Sequence, residues 1–158
     1  MKHLPKHLRQ RVRYLAVGLE AWPDADLDRA EFQGACRHAA RDLLGDVGSA
    51  ALDLSVLRFE FAEGTGSAVV RTRRGEVDRA RAALACVDAV SGHPVGVHVR
   101  GVSGTVRACK GKYLGGRREE TRQRHVVFGT AEAPAVERDG RVDVETDQGY
   151  TGATALDL

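Results

Sequence analysis

The chain has 158 residues, 42% hydrophobic and 29% charged, enough for one domain with a real core and too few for two. No apolar run approaches the roughly 20 residues of a membrane helix, and the basic start lacks the apolar stretch of a secretory signal, so a soluble cytoplasmic protein is expected. The net charge of +2 hides a segregation along the chain: residues 1–13 carry +5, residues 14–99 carry −4, residues 100–125 carry +6 and residues 126–158 carry −5, and the asymmetry points to a polyanionic partner for the two basic blocks.

Residues 1–13 form a basic arm. Lys6, Arg9, Arg11 and Arg13 stand there with a proline and no acid, as suited to a solvated tail as to an arm that orders on a nucleic-acid backbone. YLAVGLEAW (14–22) alternates, with Leu15, Val17, Leu19 and Ala21 on one side, as a half-buried strand does. Asp28 and Glu31 are spaced as a capping box. The helix they open is striped by Phe32, Cys36, Ala39 and Leu43 and ended by Gly45. After a loop over 46–53 comes the strand LSVLRFEF (54–61), with Leu57, Phe59 and Phe61 on one face and Val56, Arg58 and Glu60 on the other. EGTG (63–66) is a hairpin turn, and SAVVRTRR returns with Arg71 and Arg73 on one face. Gly75 opens a second helix, striped by Val77, Ala80, Leu84 and Val87 and broken at 91–94. VGVHVR (95–100) is a strand with Val95, Val97 and Val99 inward and His98 and Arg100 outward.

This β-α-β-β-α-β order predicts an α+β, ferredoxin-like two-layer sandwich over residues 14–115, with both helices on one face of an antiparallel sheet. A short basic helix, TVRACKGKYL, follows, capped by Ser103 and packed through Val106 and Tyr113. Residues 116–158 read as a basic linker, helical or loose through RREETRQR, and an acidic C-terminal extension in which HVVFGT and RVDVETDQGYTG look like short strands. No internal repeat is visible.

The chain is poor in signs of catalysis. Cys36, Cys86 and Cys109 are far apart, and neither they nor the six histidines show metal-ligand spacing, so the cysteines read as reduced, small apolar residues. There is no Ser-His-Asp order, H-E-x-x-H or P-loop. Asp24, Asp26 and Asp28 lack the rest of a calcium loop, and WPDAD is acidic where acylphosphatase-like chemistry would need arginine. The sheet face away from the helices would carry Tyr14, Arg58, Arg71, Arg73, His98 and Arg100. An RNA-recognition motif stacks bases on aromatics of its third strand; AVVRTR has none, and a solvated face accounts for the charges. Ser103, Gly104 and Thr105 are better placed, because a helix start offers free N–H groups and partial positive charge to phosphate. Arg100 and Arg107 flank that turn, Lys110 and Lys112 extend the charge along the helix, and Arg117 and Arg118 continue it. Plain capping explains a serine before a helix; the +6 block around the turn gives phosphate contact equal weight. Arginine outnumbers lysine twenty to four, which suits phosphate, although codon bias produces the same excess.

Three motifs occur in order: LPKHLR (4–9) followed by RY (13–14), LGDVGSA (44–50), and GVSGTVRACKGKYL (101–114). Together they resemble the archaeal ribonuclease P protein component 2 family, counterpart of a eukaryotic ribonuclease P/MRP subunit, across residues 1–115. The resemblance implies a ferredoxin-like, non-catalytic subunit of the ribonucleoprotein that removes 5′ leaders from precursor tRNA. The endoribonuclease would then be the assembled particle, with Mg²⁺ held by its RNA subunit and no cofactor bound by this chain. The partners implied are ribonuclease P RNA, the component 3 protein, precursor tRNA within the complex, and a second copy of this chain in a heterotetramer. The turn at 103–105 with Arg100, Arg107, Lys110 and Lys112 would brace the catalytic domain of the RNA. Two other readings stay open: a ferredoxin-like regulatory or oligomerisation module that binds a small anion or another protein, and a small enzyme using the arginine-lined sheet. Salt-dependent RNA binding separates them from the first.

Overall fold

The computed structural model describes residues 4–116, 120–154 and 156–158. After a 3-10 turn at Lys6–Leu8, the chain enters β1 (Val12–Ala21), whose alternation buries Leu15, Val17, Leu19 and Ala21 as expected. α1 (Arg29–Leu52) starts at the expected capping box: the Asp28 carboxylate accepts the Glu31 N–H at 2.8 Å, and the Glu31 carboxylate accepts the Asp28 N–H at 3.0 Å. Phe32, Cys36 and Ala39 are buried, whereas Leu43 is exposed. Gly45 does not end this helix. It takes φ +70° and ψ 178°, a conformation glycine adopts without steric cost, and the helix resumes beyond the kink to a fully buried Leu52. The expected loop over 46–53 is therefore largely helical.

β2 (Ser55–Ala62) and β3 (Thr65–Arg73) are joined by Glu63 and Gly64, both at positive φ, a turn whose twist matches the strands. On β2 the expected faces are exchanged at one end. Leu57 is an extra residue between the pairs Val56↔Val70 and Arg58↔Val69, so Val56 joins Phe59 and Phe61 in the core and Leu57 faces out. α2 (Val77–Ala85) buries Ala80, Ala83 and Leu84 but stops short of its expected end. Ser91 and Gly92, both at positive φ, instead turn β4 (Ala89–Val90) into β5 (His93–Ser103). α3 (Val106–Cys109) continues as a π-helical turn over Lys110–Leu114.

The first sheet has the order β2-β3-β1-β5-β4, antiparallel throughout. α1 and α2 cover one face and enclose the main core; the class is α+β. The opposite face is not fully open. α3 and its π-helical turn lie on it and bury Ala16, Val69 and Cys109, with Tyr14, Val106, Tyr113 and Leu114 around them. The close approach needs Gly101, where an added Cβ would stand 2.3 Å from the Tyr113 ring.

Residues 122–153 hold strands at HVVF and within RVDVETDQGYTG, as expected, but are more organised than the expected extension. They form a four-stranded antiparallel meander, β6 (Arg122–Phe128), β7 (Ala131–Arg138), β8 (Arg141–Thr146) and β9 (Gly149–Ala153). The RQR stretch, expected helical or loose, opens β6. Val126, Ala135, Val142, Val144 and Ala153 make a small core of its own. Arg138 fastens this meander to the far end of β1. Nearly buried, it donates to the carbonyls of Ala21 at 3.0 Å and Glu63 at 3.1 Å and pairs with Asp143. Arg141 pairs with Glu20, and Trp22 stacks on Tyr150 with ring centroids 6.3 Å apart. Among the described residues no helix is long and apolar enough to cross a membrane.

Cys36 and Cys109 are buried and Cys86 is exposed, all as free thiols. Burial pushes the Cys36 thiol up to about 12, against a smaller lowering by a backbone hydrogen bond, and burial also raises Cys109. Because the thiolate is the reactive form, one thiol is expected to react with a maleimide or disulfide reagent in the native chain and three after denaturation. Titration with such a reagent, followed by peptide mapping to Cys86, checks this.

Candidate nucleic-acid interface

Strand register gathers the basic residues at one end of the first sheet. β1 pairs with β3 through Val12↔Arg73 and Tyr14↔Arg71, and with β5 through Tyr14↔Ser103. β2 adds Ser55↔Arg71. Successive side chains of a strand alternate between faces, and Ala16 and Val69 lie under α3. Ser55, Arg71, Tyr14 and Ser103 therefore form a cross-strand row on the α3 side, with Arg73 in the next row outward. Arg11 and Arg74 lie beside it, joined by the Arg74 N–H donated to the Arg11 carbonyl at 2.9 Å.

The turn completes this end. Ser103 is the last residue of β5, and Thr105, not Ser103, caps α3: its hydroxyl oxygen accepts the Ala108 N–H at 3.1 Å. The Ser103 hydroxyl is left to the sheet face because Tyr14 holds its residue in the strand. A Cβ placed on Gly104 would meet only the Arg13 guanidinium, at 4.0 Å, so packing does not demand glycine there. Arg13 lies beside the turn, and Arg107 stands exposed on α3 next to it. Lys110 and Lys112 are exposed further along, with Lys112 Nζ 5.2 Å from the Tyr113 ring centre.

Not every expected residue converges. Arg100 is the extra residue of a bulge in β5, between the pairs Ala16↔Gly101 and Val17↔Val99. Its side chain turns away from the SGT turn, over Gly18, with Nε 3.4 Å from His98 Nε2. Lys6 and Arg9 are exposed on the arm, where Arg9 donates to the Leu4 carbonyl. Arg117 and Arg118 lie outside the described residues. Arg71 and Arg73 enter the cluster by sheet register rather than sequence proximity. Their buried Nε atoms find no hydrogen-bond partner among the described residues, and unpartnered buried donors are costly and uncommon. No three His, Cys, Asp or Glu side chains converge as a metal site requires, among the described residues.

Chemically, this end of the sheet offers several guanidinium forks, two lysines, and hydroxyl and backbone donors. Arginine forks match phosphate oxygens bidentately, so the arrangement suits a phosphodiester backbone better than a buried small molecule.

Comparison with known proteins bears on the family of the chain. The model of the Rpp14/Pop5 family matches residues 13–114. The chain is 63% identical over 158 residues to the ribonuclease P protein component 2 of Natronomonas pharaonis, spanning 100% of this chain and 98% of that relative. Against its namesake in Haloarcula marismortui the identity is 57% over 160 residues, spanning 100% and 99%. Against that of Methanosarcina mazei it is 35% over 114 residues, 72% of this chain and 93% of the relative. The small remainder of that third relative is too short to hold a meander like β6–β9, and the family model also stops before it.

Proposed function

This chain belongs to the Rpp14/Pop5 family, and from that premise we propose that it is a non-catalytic protein subunit of ribonuclease P that braces the catalytic RNA through phosphate contacts. The observation that carries the site is the gathering of Arg13, Arg71, Arg73 and Arg107 at one end of the first sheet, with Arg13 beside the turn at Ser103, Gly104 and Thr105. The antiparallel order β2-β3-β1-β5, with α1 and α2 on one face, supports a ferredoxin-like arrangement for the body. In this reading the RNA holds the Mg²⁺ and supplies the chemistry of leader removal. The protein binds and orients. Each arginine that neutralises a phosphate reduces the repulsion between RNA segments, and less Mg²⁺ is then needed to keep them folded together. Pairing with component 3, and a second copy of this chain in a heterotetramer, is the assembly we infer from the family. Arg100, apart from the turn, would make a separate contact.

The test is leader removal from precursor tRNA at low Mg²⁺, with the cognate ribonuclease P RNA and component 3. Cleavage is expected to require this chain. Arg13→Ala combined with Arg107→Ala is expected to raise the Mg²⁺ needed and to leave the melting temperature nearly unchanged. The slope of log K against log salt for RNA binding should shrink by roughly 0.7–0.9 for each phosphate contact removed. If RNA and component 3 cleave equally well without the chain, the reading fails.

A further inference from the structure

One carboxylate sits inside the basic cluster. Asp53 follows α1 as its C-cap, at φ 49° and ψ 48°. A negative charge there opposes the helix dipole, and the left-handed conformation suits glycine or asparagine better than aspartate. Asp53 is also not needed to satisfy the helix end, because the Leu52 carbonyl already accepts the Thr72 hydroxyl at 2.8 Å. What Asp53 does is hold Arg71. Arg71 Nη2 donates to Asp53 Oδ2 at 3.2 Å and to Ser55 Oγ at 3.3 Å, while the pair stays partly open to solvent, the side chains 35% and 43% exposed. Arg71 lies in the same cross-strand row as Tyr14 and Ser103, and its Nε finds no partner among the described residues. The contact is thus a partly exposed, single-point pair on a fork whose Nε is buried and whose two Nη atoms could take an anion end-on.

We infer that Arg71 is a phosphate-binding residue of this interface and that Asp53 occupies its guanidinium until an RNA phosphate replaces it. The inference rests on the RNA contact proposed above and adds a residue and a built-in competitor to it. A carboxylate and a phosphate oxygen compete for the same donors, and a partly exposed pair is weak enough to exchange. The competitor favours sites where a phosphate can engage Arg71 in full, and it weakens loose contacts elsewhere on the polyanion.

The experiment measures binding of the full chain to transcribed ribonuclease P RNA across a salt series, for wild type, Asp53→Asn, Arg71→Ala, the double variant and Arg107→Ala. Asparagine keeps the left-handed backbone, so Asp53→Asn should melt no lower than wild type. It should tighten binding by roughly two- to fivefold, the range expected on releasing a weak surface pair. Arg71→Ala should weaken binding and flatten the salt slope by roughly 0.7–0.9. Combined with Arg71→Ala, Asp53→Asn should lose most of its gain. An equal gain in both backgrounds would make Asp53 a plain repulsive charge and overturn the inference, as would a lower melting temperature for Asp53→Asn with unchanged affinity. If Arg107→Ala weakens binding while neither change at 53 or 71 matters, the inference alone falls. If the wild-type chain does not bind the RNA, the proposed function falls and takes the inference with it.

Discussion

Arg138→Ala is expected to destabilise the chain by about 3–5 kcal/mol, the usual cost of removing one partner of a buried pair, and to release the C-terminal meander from the body. The substitution takes from Asp143, itself little exposed, its paired guanidinium, and it strips the carbonyls of Ala21 and Glu63 of their side-chain donor. Unpaired groups of this kind cost more than the paired contact ever contributed. The site cannot close over the gap easily, since Gly64 packs against both Arg138 and the Ala21 carbonyl. Trp22, the single tryptophan, stacks on Tyr150 of β9 and so reports the docking directly. In a denaturant titration the tryptophan signal of the variant should change before the helical circular-dichroism signal, whereas in wild type the two should coincide. Coincident transitions at an unchanged midpoint would show that Arg138 does not fasten the meander. Arg138→Lys should fall between, because an ammonium cannot span two carbonyls and a carboxylate with the geometry of a fork.

Gly101→Ala is expected to carry the second large effect. In an ordinary strand this change stabilises by about 0.4–1 kcal/mol through the unfolded chain. Here the new Cβ would lie 2.3 Å from Cε1 and Cζ of Tyr113, a clash with an aromatic ring packed over the sheet. Overpacking of this sort costs about 1–3 kcal/mol, so the net sign is destabilising. Tyr113 must lift, and α3 must move with it, uncovering Cys109 and shifting Arg107 and Lys110 away from the turn. Two thiols should then react in the native state instead of one, and RNA binding should weaken. Gly116→Ala, whose Cβ would meet nothing within 4 Å, should leave stability, thiol count and affinity unchanged. A Gly101→Ala variant as stable as wild type, with one reactive thiol, would mean that the ring adapts freely and that α3 does not depend on this contact.

What could be read from the residues alone was whatever depends on near neighbours. The capping box of Asp28 and Glu31, the alternation of β1, the Glu63–Gly64 turn and the packing role of Val106 and Tyr113 all follow from spacing. Readings failed where a single residue shifts the frame. Leu57 as a bulge exchanges the faces of one end of β2, and Gly45 is a kink where a glycine after an apolar stripe reads as a stop. The choice between Ser103 and Thr105 as the cap depends on how far β5 stays paired, which Tyr14 decides from 89 residues away in the chain. The meander did have a local signal: Asp139–Gly140, both at positive φ in the structure, is a strong two-residue hairpin turn, flanked by alternating valines. At the interface, Arg107 and the turn were legible in one stretch. Arg13 and Arg71 could not be placed there by spacing, because only sheet register puts them at the same end of the sheet as Ser103.

The docking of the meander at the far end of β1 has an electrical consequence. From Val12 to Ala21 an extended strand covers roughly 30 Å, several times the ~8 Å over which physiological salt screens a charge. The arginine-rich end and the meander, whose residues 122–153 hold four basic and six acidic side chains, are therefore nearly invisible to each other, and on the proposed function a molecule of almost no net charge would grip a polyanion with one end. Its charge separation acts as a dipole. Within that screening length of a phosphate surface only the end that faces it feels the field, so arginines would be drawn in and the carboxylates of Glu132, Asp139 and Glu145 turned away. On the proposed function, the meander would disfavour approach by its own end of the molecule.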